Sequence, residues 1–141
     1  MAEDTYDDYR YFVSFIDDFT HFSVIYLIRN KSDVLQKFKE YEAMATAQFS
    51  FRICCLRSDN GGEYYGKEFI DFCRQKGILM IPTTPYTPQQ NGVSERMNRT
   101  LMEKARTILH ESKMPYEMWG EAVYVSTFVT NRSSSSALPE C

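Results

Sequence analysis

Apolar and polar positions recur along the chain with two periods, and the order of those periods predicts an architecture. Tyr11 to Ile16 (YFVSFI) and Phe22 to Ile28 (FSVIYLI) are β-prone runs separated by a polar turn at Asp17-Asp18, which predicts an antiparallel hairpin. Ser32 then stands as an N-cap, and Val34, Leu35, Phe38, Tyr41 and Ala45 follow helical spacing. Phe51 to Leu56 (FRICCL) reads as a buried strand that stops at the turn-forming Arg57-Ser58-Asp59-Asn60-Gly61-Gly62. Lys67 to Lys76 is a short helix with Phe69, Ile70 and Cys73 inward and Gly77 closing it, followed by a short strand at Ile78 to Ile81. Pro82 to Gly92 is a loop by composition. Val93 to Ser112 is a long helix with an apolar stripe at Val93, Met97, Leu101, Ala105 and Ile108, and a last helix runs from about Tyr116 to Asn131. The order β-β-α-β-α-β-α-α predicts an α/β domain with a mixed sheet flanked by helices.

The 141 residues suit one domain, and a chain of this length buries roughly 70% of its unfolded surface. Three segments are expected: a polar, acidic stub at 1–10, a core at 11–132, and a serine-rich tail at 133–141. The formal net charge of -3 disfavours a phosphate backbone as partner, so any DNA contact needs a local basic patch or metal ions that offset the acidic residues. None of the four cysteines (Cys54, Cys55, Cys73 and Cys141) has zinc-ligand spacing, and they are expected to be reduced, partly buried thiols. No targeting signal and no apolar run long enough to span a membrane is visible.

Two carboxylates carry the chemistry. Asp59 stands where a strand stops, before glycines that let backbone approach a ligand, although Asp-Asn-Gly is also ordinary turn chemistry. Glu95 lies in the first turn of the long helix, where the helix dipole alone favours an acid. Thirty-five residues, 60 to 94, separate them. With Asn60-Gly61-Gly62-Glu63-Tyr64 after the first and Pro85-Tyr86-Thr87-Pro88-Gln89-Gln90-Asn91-Gly92-Val93 before the second, the pattern resembles the D-x35-E half of an integrase catalytic core. Tyr11-Phe12-Val13-Ser14-Phe15-Ile16-Asp17-Asp18, Asn91-Gly92-Val93-Ser94-Glu95-Arg96-Met97-Asn98-Arg99 and Trp119-Gly120-Glu121-Ala122-Val123 narrow the resemblance to copia-type retrotransposons, over about residues 10 to 132.

That resemblance implies a ribonuclease-H-like fold and a polynucleotidyl transferase that trims 3′ ends of element DNA and joins them to target DNA. It implies Asp59 and Glu95 as catalytic residues and metal ligands, the second and third of three carboxylates that hold two Mg²⁺ (or Mn²⁺) ions. Tyr86, Gln90, Asn91, Arg99 and Arg106 are the candidate DNA contacts: helical spacing puts Arg99, Met102 and Arg106 on the side of Glu95, and Tyr86 can stack on a base. For the arginines, ion pairs to Glu95 or Glu103 are the competing reading. Element and target DNA, a homo-oligomer in the intact protein, and residence in the nucleus are the setting the resemblance implies; without the resemblance the expectation is the cytoplasm.

The chain departs from the family at its start. The first aspartate of the triad belongs on a strand before Tyr11–Ile16, in an Asp-hydrophobic-x-Gly-Pro motif, and residues 1–10 hold nothing of that form. Asp17 and Asp18 fall in the family's hairpin turn, outside the triad. The expectation is an N-terminally truncated core that lacks its first, central strand, with the sheet split where that strand belongs and with no catalysis of its own. The alternative is a catalytically dead remnant that still binds DNA or protein.

Overall fold

In the computed structural model, which describes residues 4–5, 8–50, 52–58, 66–82 and 92–133, the chain falls into two compact units. One comprises Met1–Arg29 with Val93–Cys141, the other Asn30–Gly92.

The first unit is built on a hairpin. Tyr11–Ile16 (β1) pairs antiparallel with Ser23–Ile28 (β2), in a register that runs from Tyr11 opposite Ile28 to Ile16 opposite Ser23. The turn between them is held by Asp17, whose Oδ2 accepts hydrogen bonds from the Thr20 N–H and hydroxyl, both at 2.8 Å. Asp17 is thus a turn residue, in line with its expected place outside the triad. Because side chains alternate along a strand, one face of the hairpin presents Phe12, Ser14, Ser23, Ile25 and Leu27, and the other buries Val13, Phe15 and Ile28. The first face packs on two helices, Gly92–Ser112 (α3) and Trp119–Arg132 (α4, entered through a 3-10 turn at Tyr116–Met118). Their common core is Ile25, Leu27, Leu101, Ala105, Leu109, Trp119, Ala122 and Val123. The stripe of α3 therefore runs through Leu109, which is buried, while Ile108 packs partly buried beside it. Gly120 eases the approach of α4 to β2: a Cβ there would stand 2.8 Å from a methyl of Leu27, which would have to shift.

Polar pairs fix these elements in one register. The Ser14 hydroxyl donates to Asn98 Oδ1 at 2.6 Å, tying β1 to α3. The Asn131 side chain takes both backbone groups of Ser23: Oδ1 accepts from the N–H at 2.8 Å and Nδ2 donates to the C=O at 2.7 Å. The Ser126 hydroxyl donates to the Leu101 carbonyl at 3.1 Å, joining α4 to α3.

The second unit opens with a 3-10 turn at Lys31–Asp33 that leads into the helix Val34–Phe49 (α1). The turn is capped from Asn30, whose N–H donates to Asp33 Oδ2 at 3.1 Å, and the N-cap of α1 is Asp33, one residue after the expected Ser32. The physical reason is reciprocal: Asn30 and Asp33 satisfy each other across the turn, which a serine in its middle cannot do. Cys55–Ser58 (β3) and Leu79–Pro82 (β4) form a parallel pair joined through the helix Lys67–Lys76 (α2), which ends at Gly77 with φ 72. Phe38 of α1 stacks on Phe69 of α2, ring centroids 5.3 Å apart, and meets Phe72 edge-on.

Two expectations need correction here. The strand expected at Phe51 to Leu56 begins at Cys55, and of its residues Cys55 and Arg57 are exposed and only Ser58 is buried. The partner decides the register: the Leu79 N–H donates to the Cys54 carbonyl, so β4 engages the chain beyond its most apolar stretch. In consequence Cys54 and Cys55 are exposed thiols rather than partly buried ones, whereas Cys73 is fully buried. Cys141 and Phe51 lie outside the described residues.

The element order matches the one read from the sequence. Antiparallel and parallel pairing both occur, as in a mixed sheet. Among the described residues they form two ladders of two strands each, β1-β2 and β3-β4.

Candidate active site

Glu95 stands exposed in the first turn of α3, the acid favoured by the positive end of that helix. The helix that carries it is anchored within its unit. Leu101 and Ala105 are fully buried, and Asn98, three residues after Glu95, is locked to Ser14 of the hairpin. Ser14 and Asn98 stand within the motif runs YFVSFIDD and NGVSERMNR, where the sequence pattern gives neither a role. The signal is a serine inside the apolar run YFVSFI and an asparagine beside the apolar stripe, two polar groups that satisfy each other where both are partly buried.

Farther along α3, Arg99 and Arg106 are exposed. Among the described residues, no ion pair to Glu95 or Glu103 holds either guanidinium. Met102, expected on the same side, instead packs partly buried against the core of its unit. The basic face is therefore two arginines flanking a side chain turned inward, rather than a continuous stripe.

Asp59 lies outside the described residues, as do Tyr86, Gln90 and Asn91. The described part of the strand β3 runs to Ser58. Among the described residues, no group of three or more His, Cys, Asp or Glu side chains is arranged to hold a metal ion. The donor chemistry of the two candidates nonetheless fits a hard cation: Asp59 and Glu95 offer carboxylate oxygens, the ligands that Mg²⁺ takes. No helix among the described residues is long and apolar enough to cross a membrane.

Comparison with known proteins bears on the same residues. The chain is 44% identical over 129 residues to the retrovirus-related Pol polyprotein from transposon TNT 1-94 of Nicotiana tabacum, covering 92% of this chain and 10% of that polyprotein. It is 36% identical over 126 residues to the Pol polyprotein from transposon RE2 of Arabidopsis thaliana, covering 89% of this chain and 8% of that one. The chain thus spans about a tenth of the length of the curated relatives it matches. Among solved structures it is similar to a chain of the simian T-cell lymphotropic virus intasome in complex with PP2A regulatory subunit B56 gamma, with TM-score 0.71 and 21% identity, covering 92% of this chain and 44% of that one. It is similar also to the HTLV-2 integrase catalytic core domain in complex with magnesium, in its trimeric form, with TM-score 0.64 and 16% identity over 89% of this chain and 76% of that one. These likenesses show the ribonuclease-H-like fold of retroviral integrase cores. The family model described as Integrase core domain matches residues 2–88, a stretch that includes Asp59 and ends before Glu95. With more than half of its length matched by that model, and with retrotransposon Pol polyproteins as its relatives, this chain belongs to the integrase core domain family.

Proposed function

We propose that this chain is the catalytic core with which a copia-type retrotransposon integrase processes the 3′ ends of its DNA and joins them to target DNA. The observation that carries the reading is the presentation of Glu95: an exposed carboxylate on the first turn of a helix anchored by Leu101, Ala105 and the Ser14–Asn98 bond, with Arg99 and Arg106 exposed on the same helix. Asp59 and Glu95 are the residues that would hold divalent ions. A pair of Mg²⁺ or Mn²⁺ ions, when bound, supplies activation of the attacking oxygen and stabilisation of the leaving one. Arg99 and Arg106 draw the phosphate backbone to this face despite the net charge of -3. Tyr86 stacks on a base, and Gln90 and Asn91 meet the DNA end. Nuclear DNA is the target, and the intact protein works as a homo-oligomer.

The 141 residues by themselves are inactive on this reading, because they contribute two carboxylates of a three-carboxylate site and two ligands hold such ions weakly. The alternative, a remnant that binds DNA without chemistry, is separated by one experiment. The chain is compared with a version extended at its N-terminus by an Asp-hydrophobic-x-Gly-Pro strand, in a strand-transfer assay with Mn²⁺. The expected result is no joining by the chain alone, joining by the extended form, and loss of that joining in Asp59→Asn and in Glu95→Gln. DNA binding by the chain is expected to weaken in Arg99→Ala and Arg106→Ala, with the salt slope of binding falling by about 1 for each. Joining by the unextended chain that disappears in Asp59→Asn refutes the inactivity. DNA binding without joining in the extended form favours the remnant.

A further inference from the structure

The stretch from Arg52 to Arg57 sets two thiols between two arginines. Consecutive side chains of a strand point to opposite faces, so a regular strand over Cys54 and Cys55 would turn one thiol inward. From Cys55 onward the alternation is regular: Cys55 and Arg57 are exposed, Leu56 is half-buried and Ser58 is buried. Cys54 breaks it. It stands just before β3, in the phase of Leu56 and Ser58, yet it is exposed. Its Sγ folds back along the chain and donates to the Arg52 carbonyl at 3.7 Å. Two consecutive thiols therefore both reach solvent, whereas Cys73 has no exposure.

The charges beside them have one sign. Arg52 lies two residues before Cys54 and Arg57 two residues after Cys55, and both are exposed. Arg57 shares the strand face of Cys55 by the period of two. The Arg52 guanidinium is anchored through Nη2, which donates to the Lys76 carbonyl at 3.3 Å, and it has further N–H groups to offer a ligand. Two positive charges flanking a thiol pair draw a disulfide that carries carboxylates and repel one that carries ammonium groups.

We propose that Cys54 and Cys55 form a thiol–disulfide exchange site for anionic low-molecular-weight disulfides of the glutathione class, closing to a Cys54–Cys55 disulfide. The Cys55 thiolate attacks one sulfur of the small disulfide; a mixed disulfide forms and one small thiolate leaves. Cys54 gives its proton to water, and its sulfur attacks the Cys55 sulfur; the internal S–S bond forms and the second small thiolate leaves. The pair loses two electrons, and the small disulfide gains them as it becomes two thiols. Cys55 reacts first because the Cys54 S–H is engaged by the Arg52 carbonyl. Neighbouring Cα atoms stand about 3.8 Å apart across a trans peptide, short of the ~4.4–6.8 Å of ordinary disulfides, so closure moves backbone. That backbone includes the Cys54 carbonyl, which accepts the Leu79 N–H at 2.8 Å where Cys55 and Leu79 begin the β3–β4 ladder. Closure thus loosens the entry to the ladder. A strained, exposed disulfide is readily reduced again, so the change is reversible. The inference rests on β3 and its flanks and stands whether or not the chain joins DNA.

The test uses the 141-residue chain with Cys141→Ser, so that the tail thiol does not compete. It is held with oxidised glutathione at neutral pH and low salt and followed by mass spectrometry of the intact chain and its peptides. A transient glutathione adduct is expected, then a chain free of adduct with Cys54 joined to Cys55, which reduced glutathione returns to the dithiol. Cys54→Ser and Cys55→Ser should each stop at a retained adduct on the remaining thiol. Arg57→Gln should slow the reaction with oxidised glutathione about threefold and leave the reaction with cystamine, a cationic disulfide, no slower. Exchange of the Leu79 amide hydrogen should quicken about tenfold or more in the oxidised chain. No reaction, adducts kept on both thiols without an internal bond, or Cys73 reacting as fast as the pair (the mark of an opened chain) overturns the site. Equal rates with the two small disulfides overturn the role of the arginines, and unchanged Leu79 exchange overturns the coupling to the ladder.

Discussion

Asn131 does for Ser23 what a neighbouring strand would do, and its removal is expected to cost about 2 kcal/mol. Ser23 is 1% exposed, and its N–H and C=O are taken by the two ends of one side-chain amide at 2.8 and 2.7 Å. Truncation in Asn131→Ala strands one donor and one acceptor. Each buried backbone group left unpaired costs ~1–3 kcal/mol, which alone would give a loss toward the upper part of ~2–6 kcal/mol. Two effects lower it. Asn131 is only half-buried, so water can enter the space it vacates. Alanine also gains roughly 0.5 kcal/mol of helix propensity over asparagine near the end of α4. In urea unfolding followed by circular dichroism, the midpoint should fall with an unchanged slope, since the surface exposed on unfolding is the same.

Two companion variants separate this cause from a general loosening. Ser23→Ala removes a hydroxyl that donates to the His21 carbonyl at 3.2 Å and leaves the backbone clamp intact, so it should cost no more than ~1 kcal/mol. Asn131→Asp keeps an acceptor for the Ser23 N–H but sets a carboxylate against the Ser23 carbonyl. Protonation restores the donor, so the folded pKa of that aspartate lies above its unfolded value of about 3.9. Its stabilising contribution is then full below the unfolded pKa and is lost as pH rises through the folded one. The deficit relative to the unaltered chain should therefore shrink as pH falls. A loss below ~0.5 kcal/mol in Asn131→Ala, or a neutral-pH Asn131→Asp as stable as the parent, would refute the clamp as a stabilising element.

Trp119 is the largest side chain with no exposure, and Trp119→Ala should cost ~3–5 kcal/mol, enough to leave much of the chain unfolded at 37 °C, as read by loss of a cooperative thermal transition. Exposed Cys54 and Cys55 should react with a thiol reagent in the native chain, while Cys73, with no exposure, should react only on unfolding. Burial raises the Cys73 pKa above its ordinary 9.0, so its contribution to stability is full below pH 9.0 and is lost as pH rises through the folded value. A Cys73→Ala variant should accordingly show a weaker alkaline loss of stability.

How much of this was legible in the sequence depends on the range over which each signal acts. The element order and the bounds of α2 were readable because apolar period and a closing glycine are local: Phe69 and Cys73 face inward at helical spacing and Gly77 takes φ 72. The start of α1 lies one residue beyond the expected Ser32 cap, at Val34 with Asp33 as N-cap, because Ser32 falls inside a 3-10 turn that Asn30 and Asp33 close between them. The β3 strand was displaced for a longer-range reason. FRICCL is the most apolar stretch in its neighbourhood, but pairing with β4 recruits Cys55 to Ser58, and a strand's place in a ladder is set by its partner. For the candidate site the same division holds. Glu95 at the head of a long helix follows from local pattern. What aims that helix does not: the Ser14–Asn98 bond joins residues 84 apart, and the Asn131 clamp on Ser23 joins residues 108 apart. Neither pair is visible to a period count, because a polar residue in an apolar run reads locally as a flaw. In the fold it is a register mark. Hydrophobic packing of α3 tolerates sliding and rotation by small amounts, whereas a 2.6 Å hydrogen bond from β1 three residues beyond Glu95 does not. The chemistry expected of Glu95 thus depends on a hairpin serine 81 residues upstream of it in the chain, and the two must be read together.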